Sequence, residues 1–305
     1  MEKDLMEYME KCLSGLKKLW PDKVTDGPKL KKEKCPGLKA VIFDIYGTLL
    51  ISGSGDILAE KFSSKDLLSA LINSGMRVKS KDSDLVGKLA ATGYSNIIKL
   101  YHENAAKEGI NFFEIDIVEV WKKVISNLEN VDAIEKVSKD EAYERIAFAF
   151  EILTNPVFPM PGMKRILDRI REKNMAMGII SNAQFYTPII MNYFLEGRIK
   201  RDNISGFYDD LSIYSYKQKR SKPDLELFEL MKKKLNRYCI NPEEAVFVGN
   251  DMLKDIYPAS KIGFKTCLFA GDSRSLRMRK GIPETENLEP DFVIEKLDDL
   301  LDIIT

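Results

Sequence analysis

Lys39-Ala40-Val41-Ile42-Phe43-Asp44-Ile45-Tyr46-Gly47-Thr48-Leu49-Leu50 is the stretch on which the fold turns. Ala40 to Phe43 is an unbroken apolar run, as expected of a strand buried on both faces of a parallel sheet, and it stops on a carboxylate followed by a Gly-Thr turn. Open α/β sheets place their chemistry just past the carboxyl ends of their strands, so Asp44 is a candidate catalytic group. On this stretch alone a loop cap is the ordinary fate of such an Asp. Only partners from elsewhere in the chain can decide.

Downstream, Leu50-Ile51-Ser52-Gly53-Ser54-Gly55-Asp56 reads as a hairpin or hinge, its glycines permitting a tight reversal. From Ile57 to about Asn155 the apolar spacing is helical, with stripes such as Leu67, Leu68, Leu71 and Ile72, then Ile117, Val120, Trp121, Val124 and Leu128. Residues 57–155 therefore form a helical cap domain inserted after the first strand. Strand and helix signals then alternate. Strands are expected at Met175–Ile180, Leu211–Ser215, Ala245–Val248, Lys265–Phe269 and Asp291–Ile294, with helices between them and from Leu297 to Ile304. That alternation predicts a doubly wound parallel sheet over residues 38–56 and 156–305, an α/β core with an all-helical insertion. Residues 1–37 read as an N-terminal extension. An amphipathic helix over residues 3–20 carries Leu5, Met6, Met9, Leu13, Leu16, Leu19 and Trp20, and a polar linker follows from Pro21 to Pro36. The helix packs on the body of the protein or supports a homo-oligomer.

The 305 residues carry 47 Lys+Arg and 47 Asp+Glu, a net charge of zero that gives no bulk attraction for nucleic acid or an anionic membrane. Cys12, Cys35, Cys239 and Cys267 are scattered and His102 is the single histidine, so neither a zinc site nor a disulfide framework is indicated. With no long apolar run and an acidic, lysine-rich start, the expected location is cytoplasmic.

Three expected strands end on polar residues: Asp44, then Ser181 with Asn182, then Asn250 with Asp251. In a parallel sheet these ends face one crevice, and Lys219-Arg220-Ser221-Lys222-Pro223-Asp224 adds a lysine before a helix. In this order and spacing the residues resemble the haloacid dehalogenase-like hydrolases, phosphatases and dehalogenases with a helical cap after the first strand. The resemblance runs from about Leu38 to the C-terminus. It implies that Asp44 is the nucleophile, Ser181 the hydroxyl that anchors substrate, and Lys222 the neutralising cation. Asn250, Asp251 and Asp255 correspond to the metal-holding group. Thr48 and Asn182 would help Ser181 bind the transferring oxygens. Mg²⁺ would be held by Asp44, the backbone carbonyl of Tyr46 and Asp251. Asp255 would be a further ligand at one remove or a group that orients the lysine. Asn250 and Asp251 compete for the first acidic position, and Asp251 is favoured as the carboxylate.

The departure is Tyr46. Phosphatases of the family usually carry there an Asp that protonates the leaving oxygen and then activates water, a contribution of roughly 10²–10⁴-fold. A tyrosine, with a pKa near 10 in the free state, is a poor base at neutral pH. The family's 2-haloacid dehalogenases do carry Tyr, because halide leaves without a proton. Against that reading, no Arg lies between Asp44 and Arg77 to cradle a halide, and Asp251 with Asp255 is phosphatase-like. The expectation is a Mg²⁺-dependent phosphatase acting on a small phosphorylated metabolite through an aspartyl intermediate. A metal-free dehalogenase and a weakly active or non-catalytic binding protein are the alternatives.

Overall fold

The computed structural model describes residues 2–54, 62–201 and 203–304, which fall into two compact units. The expected junction at Asp56 and Ile57 lies outside the described residues.

One unit, Met1–Lys17 with Asp56–Pro156, is helical: α1 (Glu2–Ser14), α2 (Ser64–Asn73), α3 (Ser83–Lys107), α4 (Ile117–Asn130) and α5 (Glu141–Thr154). Its helix starts are written in the sequence. Ser63 and Asp66 form a capping box on α2, Asp82 accepts from the Leu85 amide at 3.0 Å, and Asp116 accepts from Val118 at 2.9 Å. Tyr94 of α3, Trp121 of α4 and Phe150 of α5 meet at the centre with ring centroids 5.2–5.4 Å apart. Leu5, Met9 and Leu13 of α1 are buried and the helix packs on α5, but it ends at Ser14, before Leu16, Leu19 and Trp20. Gly15 follows, and glycine is the usual stop of a helix. The first 37 residues thus divide between the two units at Lys17.

The other unit, Lys18–Gly55 with Val157–Thr305, is the α/β core. Its strands are β1 (Ala40–Phe43), β2 (Leu50–Ser52), β3 (Val157–Pro159), β4 (Ala176–Ser181), β5 (Ser212–Tyr214), β6 (Ala245–Gly249), β7 (Lys265–Phe269) and β8 (Phe292–Ile294). Its helices are α6 (Met163–Glu172), α7 (Thr187–Glu196), α8 (Ser215–Gln218), α9 (Leu225–Leu235), α10 (Tyr257–Ile262), α11 (Pro283–Glu286) and α12 (Leu300–Ile303). Six strands form one sheet in the order β5-β4-β1-β6-β7-β8, every neighbouring pair parallel, while β2 and β3 make a separate antiparallel pair. From β1 the chain winds outward through β4 and β5, then returns past β1 to β6. The switch point lies beside β1, where sheets of this class bind their ligands. Ala40, Ile42, Ile180, Ile213 and Phe247 pack on Phe228 and Met231 of α9. All four β1 residues have no exposed surface, which explains the unbroken apolar run.

Residues 18–37 form a strap on this unit. Lys31 pairs with Val293 through two backbone bonds of 3.0 and 2.7 Å, and the Cys35 amide donates to Ile303 O at 2.8 Å. The strap covers the edge strand β8, whose open amides and carbonyls would otherwise invite pairing with another chain. Among the described residues no helix is long and apolar enough to cross a membrane.

Candidate active site

The site starts from the turn that ends β1. The Ile45 carbonyl accepts from the amides of Thr48, Leu49 and Leu50 at 3.2, 2.9 and 2.9 Å, folding the chain back beneath Asp44. Gly47 makes this possible at φ +82°, and a Cβ there would lie 2.7 Å from both Asn250 Nδ2 and Ser275 Cβ. Only glycine satisfies both demands.

Lys222 is the centre of the charge arrangement. Its Nζ lies 2.7 Å from Asp44 Oδ1 and 2.5 Å from Asp255 Oδ1, with all three side chains at most 9% exposed. Burial alone would lower the lysine's pKa, but the Asp255 and Asp44 charges outweigh it and the net direction is up. Burial pushes Asp255 up, with the Asp44 and Asp251 charges adding to that, while Lys222 pulls it down. Asn182 sets the lysine's backbone: its Oδ1 accepts from the Lys222 amide at 2.7 Å and its Nδ2 donates to the Lys222 carbonyl at 3.3 Å. The asparagine expected to bind substrate therefore holds the cation's main chain.

The polar residues after β6 go three ways. Asn250 accepts from the Thr48 hydroxyl at 3.1 Å and donates to Ser275 O at 2.6 Å. Asp255 Oδ2 accepts from the amides of Asn250 and Asp251, each at 3.0 Å. It reaches them because Met252–Ile256 is a single turn of π-helix and because Gly249 has no Cβ, which would lie 2.5 Å from Asp255 Oδ2. Asp251 caps that turn, Oδ1 accepting from Leu253 and Lys254, and it also accepts from Arg279, whose Nε lies 3.1 Å from both carboxylate oxygens and whose Nη2 lies 2.5 Å from Oδ2. Burial opposes its ionisation, but the guanidinium and amide bonds outweigh this and hold its pKa below the usual range.

Two hydroxyls complete the picture. Ser181 Oγ is buried at the end of β4 with no hydrogen-bond partner among the described residues, so it is left to a ligand or solvent. The Tyr46 hydroxyl lies 2.9 Å from Oγ1 of Thr187, a fully buried residue at the start of α7 that also accepts from the Gln184 amide at 3.3 Å. Thr187 and Ser275 were not legible as site residues, and Arg279 reads in the sequence as one of a basic loop group that could attract an anion rather than as the partner of Asp251, since these contacts join segments tens to hundreds of residues apart. His102 is exposed on α3. In the basic run, Arg220 is paired with Asp224 and Glu226 at 2.8 Å each.

Among the described residues no three His, Cys, Asp or Glu side chains gather as a metal group. All three carboxylates are ion-paired, Asp251 with Arg279 through both of its oxygens and Asp44 and Asp255 with Lys222 through Oδ1 of each, and of the three Asp44 lies next to the expected phosphoryl position. The residues fit an ion held by one carboxylate rather than two.

Over residues 38–263 the chain matches the family model described as haloacid dehalogenase-like hydrolase, and it belongs to that family. It is a hydrolase. Among its relatives, the glyceraldehyde 3-phosphate phosphatase of Pyrococcus furiosus is 27% identical over 270 residues, 88% of this chain and 93% of that protein. The protein of the same name from Pyrococcus abyssi is 30% identical over 128 residues, 42% of this chain and 47% of its own length. The solved 2-haloacid dehalogenase of Pseudomonas syringae pv. Tomato DC3000 shares the fold, with a TM-score of 0.50 at 18% identity over 87% of this chain and 96% of that one.

Proposed function

We propose that the protein is a phosphatase acting on small phosphorylated metabolites through a covalent aspartyl phosphate on Asp44. The supporting observation is the buried Asp44–Lys222–Asp255 cluster together with the Ser181 hydroxyl, which has no hydrogen-bond partner among the described residues. The phosphatase-named relatives point the same way. The Asp44 carboxylate attacks phosphorus, the new O–P bond forming as the bond to the leaving oxygen breaks. Lys222 offsets the repulsion between the carboxylate and an anionic phosphoryl group, and Asp255 keeps the ammonium in line. Ser181 donates to a phosphoryl oxygen. Water then attacks the aspartyl phosphate, releasing inorganic phosphate and restoring Asp44. Mg²⁺ bound by Asp44 and the Tyr46 carbonyl would supply further positive charge for the phosphoryl oxygens.

The test is phosphate release from p-nitrophenyl phosphate and from small sugar phosphates, glyceraldehyde 3-phosphate included, with Mg²⁺ present. Turnover is expected, and Asp44→Asn is expected to abolish it. A folded wild-type protein that releases no phosphate from any of them sinks the proposal. The Tyr46–Thr187 hydroxyl pair favours a second reading, in which the leaving group needs no proton. On that reading halide is released from a 2-haloacid at the same rate with and without a chelator.

A further inference from the structure

The strap contacts the core at a second place, which neither the sheet edge nor the chemistry above uses. The Asp22 amide donates to Asp272 Oδ1 at 3.0 Å, the Ser273 amide donates to Asp22 O at 3.0 Å, and Arg274 Nε lies 3.1 Å from Asp22 Oδ2. Arg274 Nη2 also donates to the Trp20 carbonyl. The side chain of Asp272 is fully buried and additionally accepts from Arg274 N, Nε and Nη2 at 3.1, 3.2 and 3.2 Å. A buried carboxylate holding that many donors has one position.

From Asp272 the loop after β7 leads straight to the nucleophile turn. The amides of Ser275 and Leu276 donate to Asp272 O at 3.2 and 2.9 Å. Ser275 then meets the site twice: its carbonyl accepts from Asn250 Nδ2 at 2.6 Å, and its Cβ closes over Gly47. Asn250 in turn holds Thr48. Further along, Arg277 N donates to Asn250 O and Arg277 O accepts from Met252 N, both at 2.9 Å. Every link is a bond or a van der Waals contact, and the chain of links ends on the turn that aims Asp44.

The geometry points to Asp272 as a positioning residue for the nucleophile turn, with Trp20–Asp22 of the strap as the brace that holds it. The turn is built around a glycine in the left-handed region, its own backbone bonds set its shape, and Ser275 and Asn250 close over it from outside. Displacing a nucleophile by about 1 Å costs on the order of 10²-fold in rate, so a brace acting on this turn acts on turnover.

The experiment uses the full chain and two variants, Asp272→Asn and Asp22→Ala. The second removes a side chain that is 59% exposed, so it folds whatever becomes of the first. Amide hydrogen exchange is followed at Thr48, Leu49 and Leu50 and at the β6 amides. Exchange in the turn is expected to quicken about tenfold in Asp272→Asn and about threefold in Asp22→Ala, with β6 unchanged. In parallel, kcat on p-nitrophenyl phosphate is expected to fall about tenfold in Asp272→Asn at a KM within about twofold of wild type, and Asp272→Glu to restore part of it. Wild-type exchange at the turn in the folded variants overturns the inference. So does a uniform rise that includes β6, which reports general destabilisation. The kcat readout rests on the phosphatase reading, while the exchange readout does not, so the failure of one is told apart from the failure of the other.

Discussion

Two buried clusters, one in each unit, are closed off from water to a similar degree and held together by opposite means. In the core, Lys222 sits between Asp44 and Asp255. In the helical unit, Tyr94, Trp121 and Phe150 pack ring against ring. In the charged cluster each group is tolerable only because its partner is present, so identity matters more than volume. In the aromatic cluster, contact area and fit are what count, and chemistry matters less. Substitutions that keep shape but change charge should therefore separate the two.

The largest effect is expected from Lys222→Met, which keeps length and removes the ammonium. Two carboxylates are left facing each other without their cation, a loss of about 3–5 kcal/mol near neutral pH. Phosphate release should fall on the order of 10³-fold. The sign of the pH dependence follows from Asp255, which burial and neighbouring charge already push up to about 7 with the lysine in place. Without Lys222 it rises further, so the folded variant holds a proton that the unfolded chain releases at the ordinary carboxylate value. Its stability then declines as pH rises through that window, and urea midpoints measured from pH 5 to 8 would show it. A midpoint independent of pH would place the carboxylates elsewhere.

The aromatic cluster is broken differently. Trp121→Ala leaves a large cavity and is expected to cost about 3–5 kcal/mol. Trp121→Phe should cost much less, about 1.5 kcal/mol or below, because the buried indole Nε1 has no hydrogen-bond partner to lose among the described residues. Thermal denaturation of the two variants reads this directly. Equal losses in both would mean that polarity matters in this cluster as it does around Lys222.

A subtler case lies at the edge of the charged cluster, where Asp251 is neutralised by Arg279 rather than by Lys222. With Asp44 shared with Lys222 and Asp251 held by Arg279, the site is expected to bind Mg²⁺ only in the millimolar range. Arg279→Gln releases Asp251 and should tighten Mg²⁺ binding about tenfold by calorimetry. An unchanged affinity would mean that the Asp251 carboxylate does not reach the ion even when free.

How legible all this was depends on the range of the interaction. Ala40–Phe43 could be read because a strand buried on both faces leaves a mark in consecutive residues. The caps at Ser63, Asp82 and Asp116 are equally local. Helix α1 ends earlier than the spacing predicts, because Leu16, Leu19 and Trp20 continue the helical pattern past Gly15 although the chain there passes to the other unit. The resemblance also put Asp251 and Asp255 together in one metal-holding turn. The turn is a π-helix, one residue wider, and it sends Asp255 to Lys222 and Asp251 to Arg279. Asn182 bonds to a backbone 40 residues away, and Tyr46 to a threonine 141 residues away. No periodicity encodes such pairings; only the sheet order brings them together.

The smallest expected effect comes from an exposed pair, the yardstick for the two buried clusters. Lys32 of the strap lies 3.0 Å from Asp299, which also caps the turn at Lys296. Burial pushes the Asp299 carboxyl up, but Lys32 and the backbone amides of Lys296 and Glu295 outweigh it, and its pKa is lowered. A depressed carboxyl stabilises the fold above its unfolded value and loses that stabilisation as pH falls through the folded one. Asp299→Asn should therefore shift the urea midpoint slightly downward at pH 7, and the shift should vanish under acid conditions below the ordinary Asp range. High salt should shrink it as well, since the ammonium is exposed and screened. A shift that survives both acid and salt would mean that Asp299 acts through its cap on Lys296, with no part played by the charge of Lys32.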